Sequence, residues 1–495
     1  MSRTPSPERI PEHLRRLRED PQSVNPPDWR VDYADGPWPV KVHQGGTRVA
    51  PEGPLARVLR GSVAVTAVRG TRATLRRAVP SGGAMHPTEV YVVCARTERL
   101  WHVDPYRMEL LAMSADRPGR LVRAGLRLSP GAALPPVVLV LTSRFWKNFY
   151  KYGDFSFRLG AVDAGVVLGR VLRLAEAEFG TAWVRTDFVD DALNAALGLD
   201  GRDESGYAVV GCGHPEEAGG SGVSAASGPM PSEAPRLRER SRRVKRSPVF
   251  DLVQASAHVV QAGTQVPPSG PARAPAAPDA PPGVTRAGAV ALPPSVPVDL
   301  NDPRVIVRRR SGGRAFTGRP AELAQLSTVL RHADAAGTLL RDRADPTVPR
   351  VRLFVAAHRV RGVPTGWYEH LGDLLAPVGR GLDPQLGPRL QDALFGSGVN
   401  AELAAFTVHV VASPAQGCRS ARHYRTQQLA VGVAMEATVL AATAVDLGNH
   451  PFLGFDAPAV DAAYGLDGQD DGAQAQICVG AVRADDEWEV AVRPR

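Results

Sequence analysis

Two kinds of apolar pattern alternate along this chain. Residues 89–95, 100–103, 136–142 and 207–212 are short runs with few polar interruptions, and their length and Val, Tyr and Leu content predict buried strands. Between the last two, residues 157–179 keep apolar and small side chains at helical spacing up to Gly180, which predicts one long helix with a glycine stop. A second long apolar stretch, 429–445, is interrupted by Glu436 and predicts a buried helix, because a membrane span needs about 20 consecutive apolar residues. Residues 1–36 are polar and proline-bearing, with one amphipathic segment, 11–18, able to dock on the body or on a partner. Residues 215–298 are dominated by Gly, Ser, Ala and Pro and read as linker, in which only 248–261 has helical spacing.

The part after residue 299 repeats the part from 37 to 214. Trp101 and Trp367 each open a short strand before a Leu-Leu pair and lie 266 residues apart; Gly180 and Gly448 differ by 268. Ala196-Leu197-Gly198-Leu199-Asp200-Gly201 matches Ala463-Tyr464-Gly465-Leu466-Asp467-Gly468 at an offset of 267, and Val210-Gly211 matches Val479-Gly480 at 269. Anchors in one order with so little drift predict a tandem duplication, a dimer made covalent. The expected organisation is a tail (1–36), a first half (37–214), a linker (215–298) and a second half (299–495).

Charge and cysteine usage narrow the classes. The 495 residues include 59 Lys+Arg against 51 Asp+Glu, a net charge of +8 that suits a phosphate-bearing ligand or an acidic peptide. Charge alone does not make a nucleic-acid site, and the basic run 236–246 reads as a solvated face within the linker. Cys94, Cys212, Cys418 and Cys478 have no Cys-x-x-Cys spacing and read as reduced packing residues of a cytoplasmic protein, with no secretory h-region at residues 1–24 and no membrane span. No His or Cys cluster has zinc spacing, and no Gly-x-Ser-x-Gly, phosphate-loop or dinucleotide fingerprint occurs.

Two glycine loops and one dyad carry the candidate chemistry. Pro80-Ser81-Gly82-Gly83-Ala84-Met85-His86-Pro87 is fenced by prolines and can bring bare backbone N–H groups to a flat or anionic ligand; its plainer reading is a turn before a strand. Arg310-Ser311-Gly312-Gly313-Arg314-Ala315-Phe316 brings the cations that the first loop lacks. Only four lysines occur, at 41, 147, 151 and 245, so a lysine in the aromatic segment Phe149-Tyr150-Lys151-Tyr152-Gly153 suggests a task in which the charge must come off, which arginine cannot perform. The competing reading is a surface lysine beside packing aromatics, with Lys147 a solvated partner one turn away.

On these motifs the chain resembles the nitroreductase-like flavoproteins, and within them the SagB/McbC-type dehydrogenases that oxidise azoline rings in ribosomally made peptides. The loop 80–87 is similar to the Pro-Ser-Ala-Gly-Ala-Leu-Tyr-Pro loop of that group. The resemblance implies an α+β fold, two nitroreductase-like halves forming an intramolecular pseudo-dimer, and FMN at their interface. It implies that Arg310, Ser311, Gly312 and Arg314 meet the flavin phosphate and pyrimidine edge, with a glycine where a hydroxyl is usual. Leu453 and Gly454, in Pro451-Phe452-Leu453-Gly454-Phe455-Asp456, would lie near flavin N5, and Arg493 and Arg495 would close over the phosphate. Pro80, Ser81, Gly82, Gly83 and Ala84 would come across the interface, giving one intact FMN site and one degenerate pseudo-site. Asn400 is a further candidate for the flavin ring, and His86 a structural member of the loop.

Lys151 and Tyr152 match the Lys-Tyr pair of the azoline dehydrogenases, which implies removal of a ring proton beside hydride transfer to FMN. The substrate would be a modified precursor peptide, with a cyclodehydratase as partner and no nucleic acid or membrane. The chain would be a monomeric pseudo-dimer or pair again as a homodimer. Two rivals stand beside this reading: an NAD(P)H-fed flavin reductase of nitro groups or activated double bonds, and a peptide-binding scaffold without a flavin.

Overall fold

The computed structural model describes residues 7–25, 29–70, 74–95, 97–113, 118–129, 132–214, 235–258, 288–310, 315–337, 339–340, 351–396, 398–412, 420–467, 471–483 and 488–492. The apolar runs of the first half are strands of one antiparallel sheet. In chain order the strands of this half are β1 (Val42–Gln44), β2 (Arg48–Val49), β3 (Val65–Arg69), β4 (Thr74–Arg77), β5 (Thr88–Cys94), β6 (Arg99–Asp104), β7 (Glu109–Ala112), β8 (Val137–Arg144), β9 (Ala182–Arg185) and β10 (Glu204–Cys212). Seven of them lie in the order β2-β7-β6-β5-β8-β10-β9. Every residue of β5, β8 and β10 is buried, because helices cover both sheet faces, and that is why these strands read as continuous apolar runs without alternation.

After β11 (Arg236–Arg238) the second half supplies β12 (Val290–Ala291), β13 (Arg352–Ala357), β14 (Gly366–Leu371), β15 (Leu374–Leu382), β16 (Phe406–Ala412), β17 (Gly448–Phe452), β18 (Gly472–Gly480) and β19 (Glu489–Ala491). Its sheet runs β12-β15-β14-β13-β16-β18-β17, the same topology position for position. Two short sheets remain: β1 pairs with β11, and β19 of the second half joins β3 and β4 of the first.

The helices that position the site are α1 (Ile10–Glu19), α2 (Trp146–Tyr152), α3 (Ser156–Phe179), α4 (Pro248–Ser256) and α5 (Ala421–Ala444). None of the helices among the described residues is long and apolar enough to cross a membrane. Helix α3 ends at Gly180 in the left-handed region (φ 74), as its spacing predicts. Gly448 does not repeat that role: the turn after α5 uses Asp446 (φ 62), and Gly448 opens β17, so this pair of sequence anchors is not structurally equivalent.

Helices α3 and α5 cross backbone to backbone. A Cβ on Gly165 would stand 2.1 Å from the Leu429 carbonyl oxygen, and one on Gly432 would stand 2.2 Å from that of Val162. Each of these four positions has its counterpart 267 residues away, the offset of the sequence repeat, so the crossing lies on a pseudo-two-fold axis. Beside it the buried Arg170 and Glu436 pair at 2.6 Å, with Arg173 at 3.3 Å. Burial alone would raise the Glu436 carboxyl, but the two guanidiniums outweigh it and hold the group below its ordinary range. Leu59, Val167 and Leu172 of the first half share one apolar cluster with Leu330, Val433 and Ile477 of the second.

The stretch read as linker is partly built into the body. β11 pairs with β1, α4 packs Phe250 and Val253 against Phe145 and Phe149, and β12 is already an edge strand of the second sheet. Composition hid this, because backbone pairing and three apolar side chains suffice for docking where the surroundings are Ala and Pro. The amphipathic segment of the tail also docks. Helix α1 buries Leu14 and Leu17, each contributing about 1.5–3 kcal/mol, and Arg18 pairs with Asp461 and donates to the Ala473 carbonyl at 3.0 Å.

Candidate functional site

The loop 80–87 is held by a buried carboxylate that neither loop motif announces. Asp163 of α3 accepts from the Gly82 N–H (3.0 Å) and from the Ser81 hydroxyl (2.9 Å), while Asn148 reaches it at 3.4 Å; Ser81 Oγ in turn accepts from the His86 N–H at 2.8 Å. Burial pushes the Asp163 carboxyl up to about 6, against the opposing pull of Gly82, Ser81 and Asn148. So clamped, the loop makes one 3-10 turn at Gly82–Ala84 with Gly83 at φ 59, and Ala84 (φ 58) and His86 (φ 49) are also left-handed. Left-handed backbone is uncommon outside glycine and costs of order 1–3 kcal/mol, so two such residues need a surround that enforces them. Lys147 contributes, donating to the His86 carbonyl at 3.2 Å. A small pocket of about 10 Å³ lies behind the loop, lined by Arg77, Val79, Pro80, Ser81, His86 and Asp163 among others.

The dyad sits on the bare face of Gly83. A Cβ there would meet Tyr152 Oη at 2.3 Å and Lys151 Nζ at 2.8 Å. Nζ also stands 5.1 Å from the centre of the Tyr152 ring. Burial, with help from Asp163, pushes the Tyr152 hydroxyl well above its ordinary value, so it keeps its proton and remains a donor. Tyr150 donates to Met85 Sδ at 3.0 Å. Lys147 is not the solvated partner expected from the sequence: it is fully buried and paired with Glu89, which also takes His102 at 3.0 Å. Burial brings the Lys147 ammonium down to about 8 even so.

The second half reaches this loop through its arms. Arg309 is buried and donates to the carbonyls of Ala78 and Arg77, both at 3.1 Å, immediately before Pro80. Arg310 pairs at 2.9 Å with Glu489 of β19, which also holds Arg76 of β4, so the cationic motif and the strand feeding the loop are stitched to one carboxylate. Ser311, Gly312, Arg314, Arg493 and Arg495 lie outside the described residues, as does Cys418. Leu453 is buried in the shared core, whereas Gly454 is exposed with open space where a Cβ would stand; among the described residues no hydrogen bond joins either to the loop. Asn400 Oδ1 accepts from the Phe316 N–H (2.7 Å) and its Nδ2 donates to the Phe316 carbonyl (3.0 Å), so it fixes the exit of the cationic loop and keeps one amide N–H for a further partner.

The corresponding turn of the first half, between β9 and the helix Asp190–Leu197, is closed. Arg422 of α5 donates to the Thr186 carbonyl at 2.8 Å and pairs with Asp190 at 2.6 Å. The open arrangement fits the edge of a flat, electron-poor ring system such as a flavin. Gly83 lacks the side chain that would fill the space below the dyad, Asp163 fixes the Gly82 N–H and the Ser81 hydroxyl, and Arg76 and Arg310 outnumber the one carboxylate, Glu489, that they share. The pocket alone has about 10 Å³ of free room, enough for about one water and far below the roughly 300–1,000 Å³ of pockets that enclose a whole ligand.

No protein-family model matches this chain, and no curated protein matches it. Among solved structures, a provisionally named nitroreductase from Anabaena variabilis ATCC 29413 superposes with a TM-score of 0.74 at 19% identity, covering 96% of this chain and 99% of that one. The fold is therefore the nitroreductase fold, present as two copies. The E. coli microcin synthetase McbBCD complex with truncated pro-MccB17 bound matches at 0.28 and 19% identity over 34% of this chain and 68% of that one. A provisionally named nitroreductase in complex with FMN from Desulfovibrio desulfuricans matches at 0.26 and 18% identity over 37% and 86%.

Proposed function

We propose that this chain is an FMN-dependent dehydrogenase that converts azoline rings of a ribosomally made peptide to azoles. The observation that carries the reading is the meeting of Lys151 Nζ and Tyr152 Oη on the bare face of Gly83, inside the loop whose sequence resembles that of the azoline dehydrogenases. Pro80, Ser81, Gly82, Gly83 and Ala84 would hold the ring edge through their backbone, and Arg310, Ser311, Gly312, Arg314, Arg493 and Arg495 the phosphate. Leu453 and Gly454 would border the ring from the second half. A bound flavin supplies a two-electron acceptor for the hydride that leaves the ring β-carbon.

The chain's own task is the proton. Lys151 takes it from the ring α-carbon at Nζ, while the Tyr152 hydroxyl, which stays protonated, orients the heterocycle or the lysine by donating. General-base help of this kind contributes roughly 10²–10⁴-fold. Asp163 keeps the Gly82 N–H and the Ser81 hydroxyl in place without touching substrate. A cyclodehydratase acting earlier would supply the azoline.

The test joins two measurements on purified protein: a flavin absorption spectrum with one cofactor per chain, and the mass of an azoline peptide after incubation. Loss of two hydrogens from the peptide is expected. An unchanged mass across thiazoline and oxazoline peptides, with the flavin instead bleached by NAD(P)H alone, would replace this reading by a reductase.

A further inference from the structure

The basic run 236–246 is not a free solvated tether. Its backbone is fixed in three ways. β11 pairs with β1 in the register Val42↔Arg238, His43↔Leu237 and Gln44↔Arg236; Asp35 accepts from the N–H groups of Arg242 (2.7 Å) and Arg243 (2.9 Å); and Trp146 Nε1 of α2 donates to Ser241 Oγ at 2.7 Å. The side chains nevertheless point outward: Arg236, Arg238, Arg240, Arg242, Arg243 and Lys245 are all exposed. Among the described residues only Arg242 has a carboxylate near it, Asp35 at 3.7 Å, and the strap's own Glu239 is taken by Arg144. Arg238 stands over the Trp38 ring and Lys245 over Trp29, which pre-orders two of these cations, and Leu237, Val244 and Tyr33 leave exposed apolar surface among them. A row of like charges with one carboxylate among them repels itself on a fixed backbone, so the arrangement is relieved when an anion binds.

Its position indicates which anion. The strap runs along α2, the helix that ends in Lys151 and Tyr152. Arg240 lies close enough to Tyr150 to bias its ionisation, and Tyr150 touches Met85 in the glycine loop. Among the described residues β11 pairs only with β1, so its outer edge offers N–H and C=O groups to a further extended segment. We propose that residues 236–245 form a docking surface for an acidic, extended segment of the peptide substrate, whose modified ring is thereby delivered to the dyad. This rests on the reading of the site as one that acts on a peptide.

The test uses the full-length flavin-loaded protein. A labelled short peptide of alternating Glu and Gly, its Lys counterpart and a labelled single-stranded oligonucleotide are titrated by fluorescence anisotropy at low and high salt. The Glu peptide is expected to bind, to weaken as salt rises and to outcompete the Lys peptide. Arg236→Glu/Arg238→Glu/Arg243→Glu, whose side chains are exposed, should weaken it about tenfold or more while melting temperature and visible spectrum stay unchanged. Equal binding by this variant, or tighter binding of the oligonucleotide than of the Glu peptide, overturns the proposal. A second arm appends the acidic tract to an azoline peptide: KM should fall in the wild type and not in the variant, with kcat alike. Binding of the Glu peptide without oxidation of any azoline supports the strap and overturns the azoline chemistry. Azoline oxidation with KM indifferent to the tract does the reverse.

Discussion

Gly83, Lys151 and Tyr152 form a unit in which the smallest residue makes room for two functional heads, and each can be tested apart. Lys151→Met should leave flavin content unchanged and lower turnover by roughly 10²–10⁴-fold, read as flavin absorbance against peptide mass. Flavin loss in that variant would make Lys151 a binding residue. Gly83→Ala places a carbon 2.3 Å from Tyr152 Oη and should displace the dyad, and because Gly83 is left-handed (φ 59) it should also cost about 1–3 kcal/mol of stability. Asp163 makes a pH prediction. Its folded value, about 6, lies above the ordinary 3.8, so between these values the folded state binds more protons than the unfolded one and stability falls as pH rises through that window. Asp163→Asn keeps an acceptor for Gly82 and a donor for Ser81, and should remove that share of the slope in denaturant titrations across pH 4–6. Asp154, also raised to about 6 by burial, leaves its own share behind. Lys151 was legible because lysine is rare in this chain, and the loop because prolines fence it. Asp163 was not, since one acid in an apolar helix gives no sign of which loop it faces until the chain folds.

At the scale of elements, the crossing of α3 and α5 concentrates the cost of change. Gly432→Ala would put its methyl against the Val162 carbonyl, backbone against backbone, where neither side can rotate away. A loss of about 1–3 kcal/mol or more is expected in chemical denaturation, against almost none for alanine at Gly454, where the space is open. Arg170→Met alone leaves Glu436 buried with only Arg173 near it and should cost about 3–5 kcal/mol, whereas adding Glu436→Leu should restore most of it. The central strands and both long helices could be read from pattern, because burial on both sides writes an unbroken apolar run. β11, β12 and α4 could not, because short pieces held by backbone pairing and a few side chains leave no trace in Pro/Ala-rich composition. The position of Gly448 was misread as a helix stop because a glycine after an apolar run fits a cap and a strand start equally well.

For the whole molecule, the shared core means that neither half is expected to be stable alone. Expressed separately, residues 1–258 and 288–495 should co-purify when produced together and aggregate when produced singly, as read by size-exclusion chromatography. The repeat was legible because three short anchors survive in register, while which copy carries which part of the site rested on motifs whose cationic members lie partly outside the described residues. Arg422, closing over Thr186, gives the pairing its asymmetry. In an assembly of identical subunits any substitution appears twice, and a residue that obstructs one cleft must obstruct its twin. Joining the copies in one polypeptide removes that coupling, so one cleft can be sealed for rigidity while the other drifts toward a new substrate, each inherited as a separate trait.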